Sequence, residues 1–339
     1  MHHSKVPQLF PAGNTDIHSA LLSINSVPVL FRHAGSRAVD RLLEFFTAHI
    51  RNSGTRTAYA HAVARFCHWC EQRGLELPSV SPFVVATYIE QLTHELSAPT
   101  VKLHLSALRM LFDFLVTGQV LPFNPAASVR GLKHVVKKGK TPVLTSGEAR
   151  QLLDSVDCFT IIGLRDRALI GVLVYSFARV SAAIGMSVAD YYPQGCRMWF
   201  RLREKGGKHH EVPAHHNAEA YVDAYLDAAR AGLPEAISPS ADNHTPHFRT
   251  ISLCGELSPH RLHRTDVLRM IKRRALAAGL PPHITCHTFR ATGITCYLLG
   301  GGSLEYAQRV ACRESARTTK LYDRTSDTIS LDEIERIII

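Results

Sequence analysis

CHTFRATG occupies residues 286–293, shortly after the proline pair Pro281 and Pro282. His287 and Arg290 lie three positions apart, so a helix would project both side chains from one face. An imidazole and a guanidinium on such a face can bind one phosphate group. Alone, these residues are equally consistent with a histidine that caps or packs against a helix N-terminus. The segment indicates a phosphate site only if other cationic residues accompany it.

Three further segments of the C-terminal half contain residues that could join such a site. YSFARVSAAIGM at 175–186 places Arg179 between an apolar helical pattern and a second helical turn. KGGK at 205–208 places Lys205 at the edge of a predicted β-hairpin turn. RESARTTKLYDR at 313–324 contains Arg313 and Tyr322. Taken singly, Arg179 is typical of a surface cation, Lys205 of a solvent-exposed turn and Tyr322 of a residue at the edge of a core.

The order of these residues along the chain resembles the active site of the tyrosine recombinases, the phage integrase family. That family has an arginine after a helix, a lysine on a β-hairpin, a His-x-x-Arg box, a histidine or tryptophan, and then a tyrosine. The resemblance covers the chain from residue 33 onward, and it implies a catalytic role for six residues: Arg179, Lys205, His287, Arg290, Arg313 and Tyr322.

The resemblance also implies a fold and a reaction. The fold would be mainly α with a small β-sheet, a helical core-binding domain followed by a mixed α+β catalytic domain. The reaction would be site-specific cutting and rejoining of DNA through a 3′-phosphotyrosyl intermediate. Because that intermediate conserves the energy of the broken linkage, we expect no cofactor and no metal.

The residue types suit this chemistry. Arg179 and Arg290 would neutralise the non-bridging phosphate oxygens as charge builds in the transition state. A phenol has an ordinary pKa of about 10, so Tyr322 needs a base or cationic surroundings, and His287 is the candidate acceptor of its proton. Lys205 is the candidate general acid for the departing 5′-oxygen.

Two positions depart from the family's pattern. Ala182 stands where the family often has an acidic residue, so a salt bridge to Arg179 would be absent or supplied from elsewhere. Arg313 replaces the usual histidine or tryptophan. Arginine can donate to a phosphate oxygen but exchanges no proton near neutrality, and Arg309 or Arg317 could share the role. An alternative hypothesis is therefore a catalytically weakened DNA-binding relative or accessory protein.

The length of 339 residues predicts two domains with additional segments. The expected divisions are an N-terminal extension at 1–32, a helical domain at 33–128, a basic linker at 129–142, a catalytic domain at 143–329 and a tail helix at 330–339.

Periodicity predicts the elements within these domains. Thr55 is a candidate N-cap, and Thr145 and Glu148 have the spacing of a capping box. Alternation predicts one small sheet, with strands at 198–203 and 210–213. Four helices are expected in the first domain, near 36–52, 54–74, 81–94 and 98–118.

The charge balance favours a polyanionic partner. Lys and Arg number 39 against 29 Asp and Glu, a formal net charge of +10, so we predict binding to double-stranded DNA. The cations of the linker could lie along a phosphate backbone or simply be solvated. The predicted DNA-contacting residues are Arg56, Lys102, Arg109, Lys133, Lys137, Lys138 and Lys140.

The cysteines and histidines favour neither disulfides nor zinc. Eight cysteines lack the regular spacing of a disulfide framework, and no apolar stretch approaches membrane-spanning length, so we predict a cytoplasmic protein of a bacterium, phage or mobile element. Pro213, between His210 and His215, argues against a helical zinc motif. Cys67 and Cys70 have no partner pair at zinc-finger spacing and are interpreted as a half-buried thiol pair.

The last ten residues, SLDEIERIII at 330–339, are acidic and then apolar. They predict a helix with no obvious place to bury its apolar end. The family resemblance implies that such a tail docks into a neighbouring protomer, giving a homotetramer on DNA with tail exchange. The alternative is packing against its own domain.

Overall fold

A computed structural model describes residues 27–133, 141–204, 207–231, 244–252 and 254–312. The chain divides into two compact units, residues 1–135 and 136–339, and each contains its own hydrophobic core. The described residues are predominantly helical, with two small sheets. The predicted fold class is confirmed, although the expectation of one sheet was incomplete.

The first unit is a bundle of helices. A π-helical turn at Phe45–His49 directly follows the helix at Ser36–Glu44. Leu30 and Phe31 are buried, so packed structure begins within the segment 1–32, which was expected to be an extension. The apolar run in that segment is too short to show a helical period. The helices are α1 (Val29–His33), α2 (Ser36–Glu44), α3 (Ser53–Glu71), α4 (Pro82–Glu95) and α5 (Ala98–Thr117).

Polar side chains cap these helices. The Asn52 side chain accepts a hydrogen bond from the Thr55 backbone N–H at 3.0 Å, which satisfies one of the unpaired donors at the start of α3. The prediction that Thr55 is the N-cap was therefore wrong, because Thr55 already lies in the first turn. Ser81 caps α4 through the Val84 N–H in the same way.

Aromatic rings fill the core of the first unit. Phe66 meets Tyr88 and Phe112 edge to face, with ring centroids 5.1 and 5.9 Å apart. Cys67 and Cys70 are fully buried rather than half-buried. Burial raises the pKa of both thiols, that of Cys70 to about 12, so neither forms a thiolate readily near neutrality.

The second unit combines helices with two antiparallel sheets. The predicted capping box is present, since Thr145 Oγ1 accepts from the Glu148 N–H at 3.1 Å and Glu148 accepts in return. The helices are α6 (Ser146–Asp154), α7 (Ile161–Tyr175), α8 (Val180–Gly185), α9 (His216–Ala231), α10 (Arg264–Ala277), α11 (Cys286–Leu299) and α12 (Leu304–Val310). The strands are β1 (Tyr191–Gln194), β2 (Arg197–Arg203), β3 (His209–Pro213), β4 (Arg249–Ile251) and β5 (Leu257–Arg261).

The two predicted strands correspond to β2 and β3. They pair antiparallel with Arg203 opposite His209. Phe200 and Leu202 face the core and are fully buried. Strand β1 adds to the other edge of β2, and β4 with β5 forms the second sheet.

Helix α7 is central to the second core. Its apolar side chains are buried on nearly all sides, and a buried ion-pair network holds it against α10. The Asp166 carboxylate pairs with Arg165 at 2.7 Å and with Arg274 at 2.8 Å. This network holds α7 in place. The candidate site begins at the C-terminal end of α7.

Candidate active site

Arg179 follows a tight turn at the end of α7. Phe177 has φ +52°, a left-handed conformation that is uncommon for a bulky residue. The Phe177 carbonyl accepts a hydrogen bond from Arg290, which helps to hold this turn. The turn brings Arg179 to the N-cap position of α8, where its side chain is 31% exposed. The guanidinium is thus partly accessible from solvent.

The β2–β3 hairpin contributes a buried carboxylate. The Glu204 backbone closes the hairpin, with its N–H donating to the Lys208 carbonyl at 2.8 Å and its carbonyl accepting from the Gly207 N–H at 3.2 Å. The Glu204 side chain is only 3% exposed and forms an ion pair with Arg179. The salt bridge that Ala182 does not provide is therefore supplied by the hairpin.

Arg290 reaches the same carboxylate from α11. Its Nη1 lies 3.8 Å from Glu204 Oε1, and its side chain is 1% exposed. Its terminal nitrogens also donate to the carbonyls of Phe177 and Ala311. Two guanidinium groups and one carboxylate leave one net positive charge at this point, which suits a phosphodiester anion.

A glycine allows α11 to approach the turn so closely. A Cβ atom on Gly293 would lie 2.1 Å from the Val174 carbonyl oxygen and 2.8 Å from the Phe177 ring. No ordinary side chain fits these distances. Gly293 therefore sets the spacing that brings Arg290 to the turn before Arg179.

His287 lies in the first turn of α11, on an exposed position. The helix is capped at Thr285, whose N–H donates to Thr288 Oγ1 at 3.0 Å. The spacing from His287 to Arg290 places both on one side of α11. The positive end of the helix dipole adds to the attraction for an anion here.

Three of the predicted site residues lie outside the described residues: Lys205, Arg313 and Tyr322. The structure brings Arg179 and Arg290 together around Glu204, with His287 on the same helix as Arg290. The catalytic roles of all six residues stay predictions.

Two arginines predicted to contact DNA have structural partners in the first unit. Arg56 donates to the Ile50 carbonyl through Nε at 3.0 Å and Nη2 at 2.9 Å. Arg109 donates to the Ala126 carbonyl at 3.2 Å and to the Val129 carbonyl. Their positions are explained by these bonds, and their contact with DNA stays a prediction.

The lysines predicted to contact DNA fall into two groups. Lys102 on α5 and Lys133 after it are exposed, as a contact to phosphate requires. The others lie outside the described residues: Lys137, Lys138 and Lys140. The DNA contacts of all five lysines also stay predictions.

The sequence pattern did not reveal two residues of this region. One is Glu204; its only signal was an acidic residue directly before the hairpin lysine. The other is Arg261, which donates to the carbonyls of Gly185 at 2.7 Å and Met186 at 2.6 Å and so closes the C-terminal end of α8. Because Arg261 lies about 75 residues from α8 in the sequence, no local sequence pattern indicates this cap.

The histidines near β3 have protein partners. His210 Nε2 lies 2.9 Å from the Val310 carbonyl, and the His215 ring stacks on Tyr175 at 4.2 Å. Among the described residues, no three His, Cys, Asp or Glu side chains are grouped so as to hold a metal ion. Within the same residues, no helix has the length and apolar character needed to cross a membrane.

Comparison with known proteins gives matches over both units. Residues 142–328 match the phage integrase family, and residues 42–119 match the phage integrase N-terminal SAM-like domain. Tyrosine recombinase XerC of Thermodesulfovibrio yellowstonii is 30% identical over 286 residues, which are 82% of this chain and 89% of that protein. Tyrosine recombinase XerD of Chlorobaculum tepidum is 28% identical over 292 residues, 84% of this chain and 91% of that protein.

Solved structures share the fold. The XerH recombinase bound to a palindromic difH substrate after cleavage has a TM-score of 0.66 at 18% identity, covering 90% of this chain and 84% of that one. The lambda integrase tetramer on a Holliday junction has a TM-score of 0.62 at 19% identity, covering 94% and 84%. The fold and the sequence matches define one class of protein, the tyrosine recombinases. The chain belongs to the phage integrase family, as its residue pattern predicted.

Proposed function

We propose that the protein is a site-specific DNA recombinase that cuts and rejoins DNA strands through a phosphotyrosyl intermediate. The observation that carries the proposal is the convergence of Arg179 and Arg290, from separate elements, on Glu204. Glu204 directly precedes Lys205, the proposed general acid. Membership of the phage integrase family supports the same reaction.

The proposed reaction exchanges one phosphodiester bond for another. The Tyr322 phenolic oxygen attacks phosphorus and forms an O–P bond, while the bond from phosphorus to the 5′-oxygen breaks. His287 accepts the phenolic proton and Lys205 gives a proton to the departing 5′-oxygen. Arg179 and Arg290 stabilise the charge that accumulates on the non-bridging oxygens.

Attack by a new 5′-hydroxyl on the phosphotyrosine reverses these steps and joins a different strand. No bond energy is lost in the intermediate, so the exchange consumes no ATP. Arg313 would supply a third hydrogen-bond donor to the phosphate. It cannot exchange a proton near neutrality, so proton transfer rests with the other residues.

The proposed partner is double-stranded DNA, and the proposed assembly is a homotetramer. XerH and lambda integrase, which share the fold, have been solved on DNA, the latter as a tetramer. The excess of Lys and Arg over Asp and Glu supports binding to a polyanion. We place the protein in the cytoplasm, where bacterial DNA lies.

Covalent trapping tests the reaction. A binding site is first selected from the DNA that flanks the gene by footprinting, and a nicked duplex of that site is then used as a suicide substrate. The wild-type protein should become covalently attached to the DNA, and Tyr322→Phe should bind without attachment. Binding by the wild type without any adduct would instead favour the non-cleaving relative, and an adduct with Tyr322→Phe would show another nucleophile.

Truncation tests the assembly. Removal of residues 330–339 should weaken tetramer formation on a two-site DNA, because the neighbouring protomer loses the docked tail. Binding of one protomer to a half-site should be unchanged. Sedimentation of both complexes separates the two effects, and an unchanged tetramer would exclude tail exchange.

A further inference from the structure

We propose that Glu204 is a positioning residue that holds both arginines of the site, an inference that rests on the proposed function. Helix α8 provides no acidic side chain to pair with Arg179, because position 182 is occupied by the buried, apolar Ala182. The acidic group instead arrives from the β2–β3 hairpin. It acts through the arginines and does not itself contact the phosphate.

The geometry supports a shared role. Each carboxylate oxygen faces a different arginine, with Oε2 paired to Arg179 and Oε1 3.8 Å from Arg290 Nη1. The Arg179 backbone N–H also points to Oε1 at 3.5 Å. Glu204 thus restrains the side chain of Arg179 and the start of α8 together.

Electrostatics explains why an anion is needed here. Two guanidinium groups that face one phosphate must lie close together, and like charges repel most strongly where burial removes water. Arg290 is almost completely buried and Arg179 about two-thirds buried. A carboxylate between them offsets this repulsion and leaves one net positive charge for the phosphate.

The backbone of Glu204 adds a second connection. Its N–H and carbonyl close the hairpin onto Lys208 and Gly207, and Lys205 is the next residue. Glu204 therefore contacts the arginine pair through its side chain and closes the hairpin through its backbone.

Conservative substitutions provide the test. Glu204→Gln keeps the size and hydrogen-bonding oxygen but removes the charge, so the arginines should lose their fixed spacing. We expect single-turnover formation of the DNA adduct to slow by about 10- to 100-fold, the scale of a misplaced positioning group. Affinity for the same DNA, measured by fluorescence anisotropy, should stay within about 2-fold of wild type.

Glu204→Asp and a control complete the design. Aspartate keeps the charge but withdraws the carboxylate by one methylene, so its rate should lie between those of wild type and Glu204→Gln; it also replaces that variant if glutamine prevents folding. Glu211→Gln is the matched control, because Glu211 lies on β3 of the same hairpin and pairs with the exposed Arg201 at 2.9 Å. Its cleavage rate should equal that of wild type.

The outcomes separate the two proposals. If neither wild type nor Glu211→Gln forms an adduct, the proposed recombinase function fails. If both form it and the Glu204 variants cleave within about 2-fold of wild type, the positioning role is refuted. An equal loss of cleavage and of DNA affinity would also refute it, because that result indicates general disruption of the fold.

Discussion

Replacement of Asp166 by alanine should strongly destabilise the second unit. The Asp166 side chain is fully buried and receives two hydrogen bonds from each of two arginines. Arg165 is 7% exposed and Arg274 is 18% exposed. Removal of one member of a buried ion-pair network costs about 3–5 kcal/mol, since the remaining charges stay buried without it.

The expected shift of the urea unfolding midpoint can be compared with that for the loss of an exposed ion pair. For a urea slope of about 2 kcal/mol per M, a loss of about 4 kcal/mol lowers the unfolding midpoint by roughly 2 M. Asp227→Ala removes an exposed pair with Arg230 at 3.1 Å, in which the side chains are 73% and 54% exposed. Such a pair contributes about 0–1 kcal/mol, or less than roughly 0.5 M.

Tryptophan fluorescence can assign the transition to the correct unit. The chain has two tryptophans, Trp69 in the first unit and Trp199 in the second. In a Trp69→Phe background, fluorescence reports only the unit that contains Asp166. A midpoint shift for Asp166→Ala no larger than that for Asp227→Ala would refute the assignment of this network as a main stabilising element.

Three further predictions follow from buried groups. Gly293→Ala should lower the urea midpoint by the equivalent of about 1–3 kcal/mol, because its Cβ meets a backbone oxygen at 2.1 Å, whereas Gly147→Ala, with its nearest contact at 3.9 Å, should not. At pH 8, mass spectrometry should find exposed Cys196 alkylated and buried Cys70, whose pKa is raised to about 12, unmodified in the folded protein; rapid labelling of Cys70 would contradict its burial. Burial lowers the pKa of His247 to about 3, so the unfolded state takes up the extra proton first and stability falls as pH drops below about 6.5. His247→Phe should remove roughly 2 kcal/mol of the loss between pH 6.5 and 5, and an unchanged pH dependence of the urea midpoint would refute this.

The long helices of the first unit could be predicted because their sequence signals are local. Apolar residues recur at helical spacing through α3 and α5 for five turns each, and this pattern survives an error of a few residues at the ends. The N-cap of α3 was misplaced since Asn52 and Thr55 are both good capping residues, and only the backbone conformation distinguishes them.

The short strands were harder to predict. The alternation of β2 is clear because Phe200 and Leu202 point to the core. Strand β1 has four residues and β4 has three, too few for a period of two to stand out. Their strand conformation depends on a neighbouring strand that lies elsewhere in the sequence.

Part of the candidate site could be proposed from the sequence because, as for the long helices, the signals are local. Arg179, His287 and Arg290 have local contexts that match a known order of residues, so a single sequence suffices to propose them, and their catalytic roles stay predictions. Glu204 has no such context, because its importance arises from two contacts that span 25 residues to Arg179 and 86 to Arg290. The departure at Ala182 did indicate that an acid was missing, but not where its replacement lies.

The place of that acid has a mechanical consequence under the positioning role proposed for Glu204. An acid on α8 would restrain Arg179 from within its own helix, whatever the conformation of the hairpin. Because Glu204 follows β2 directly, the position of its carboxylate, and with it the spacing of the two arginines, depends on the hairpin instead.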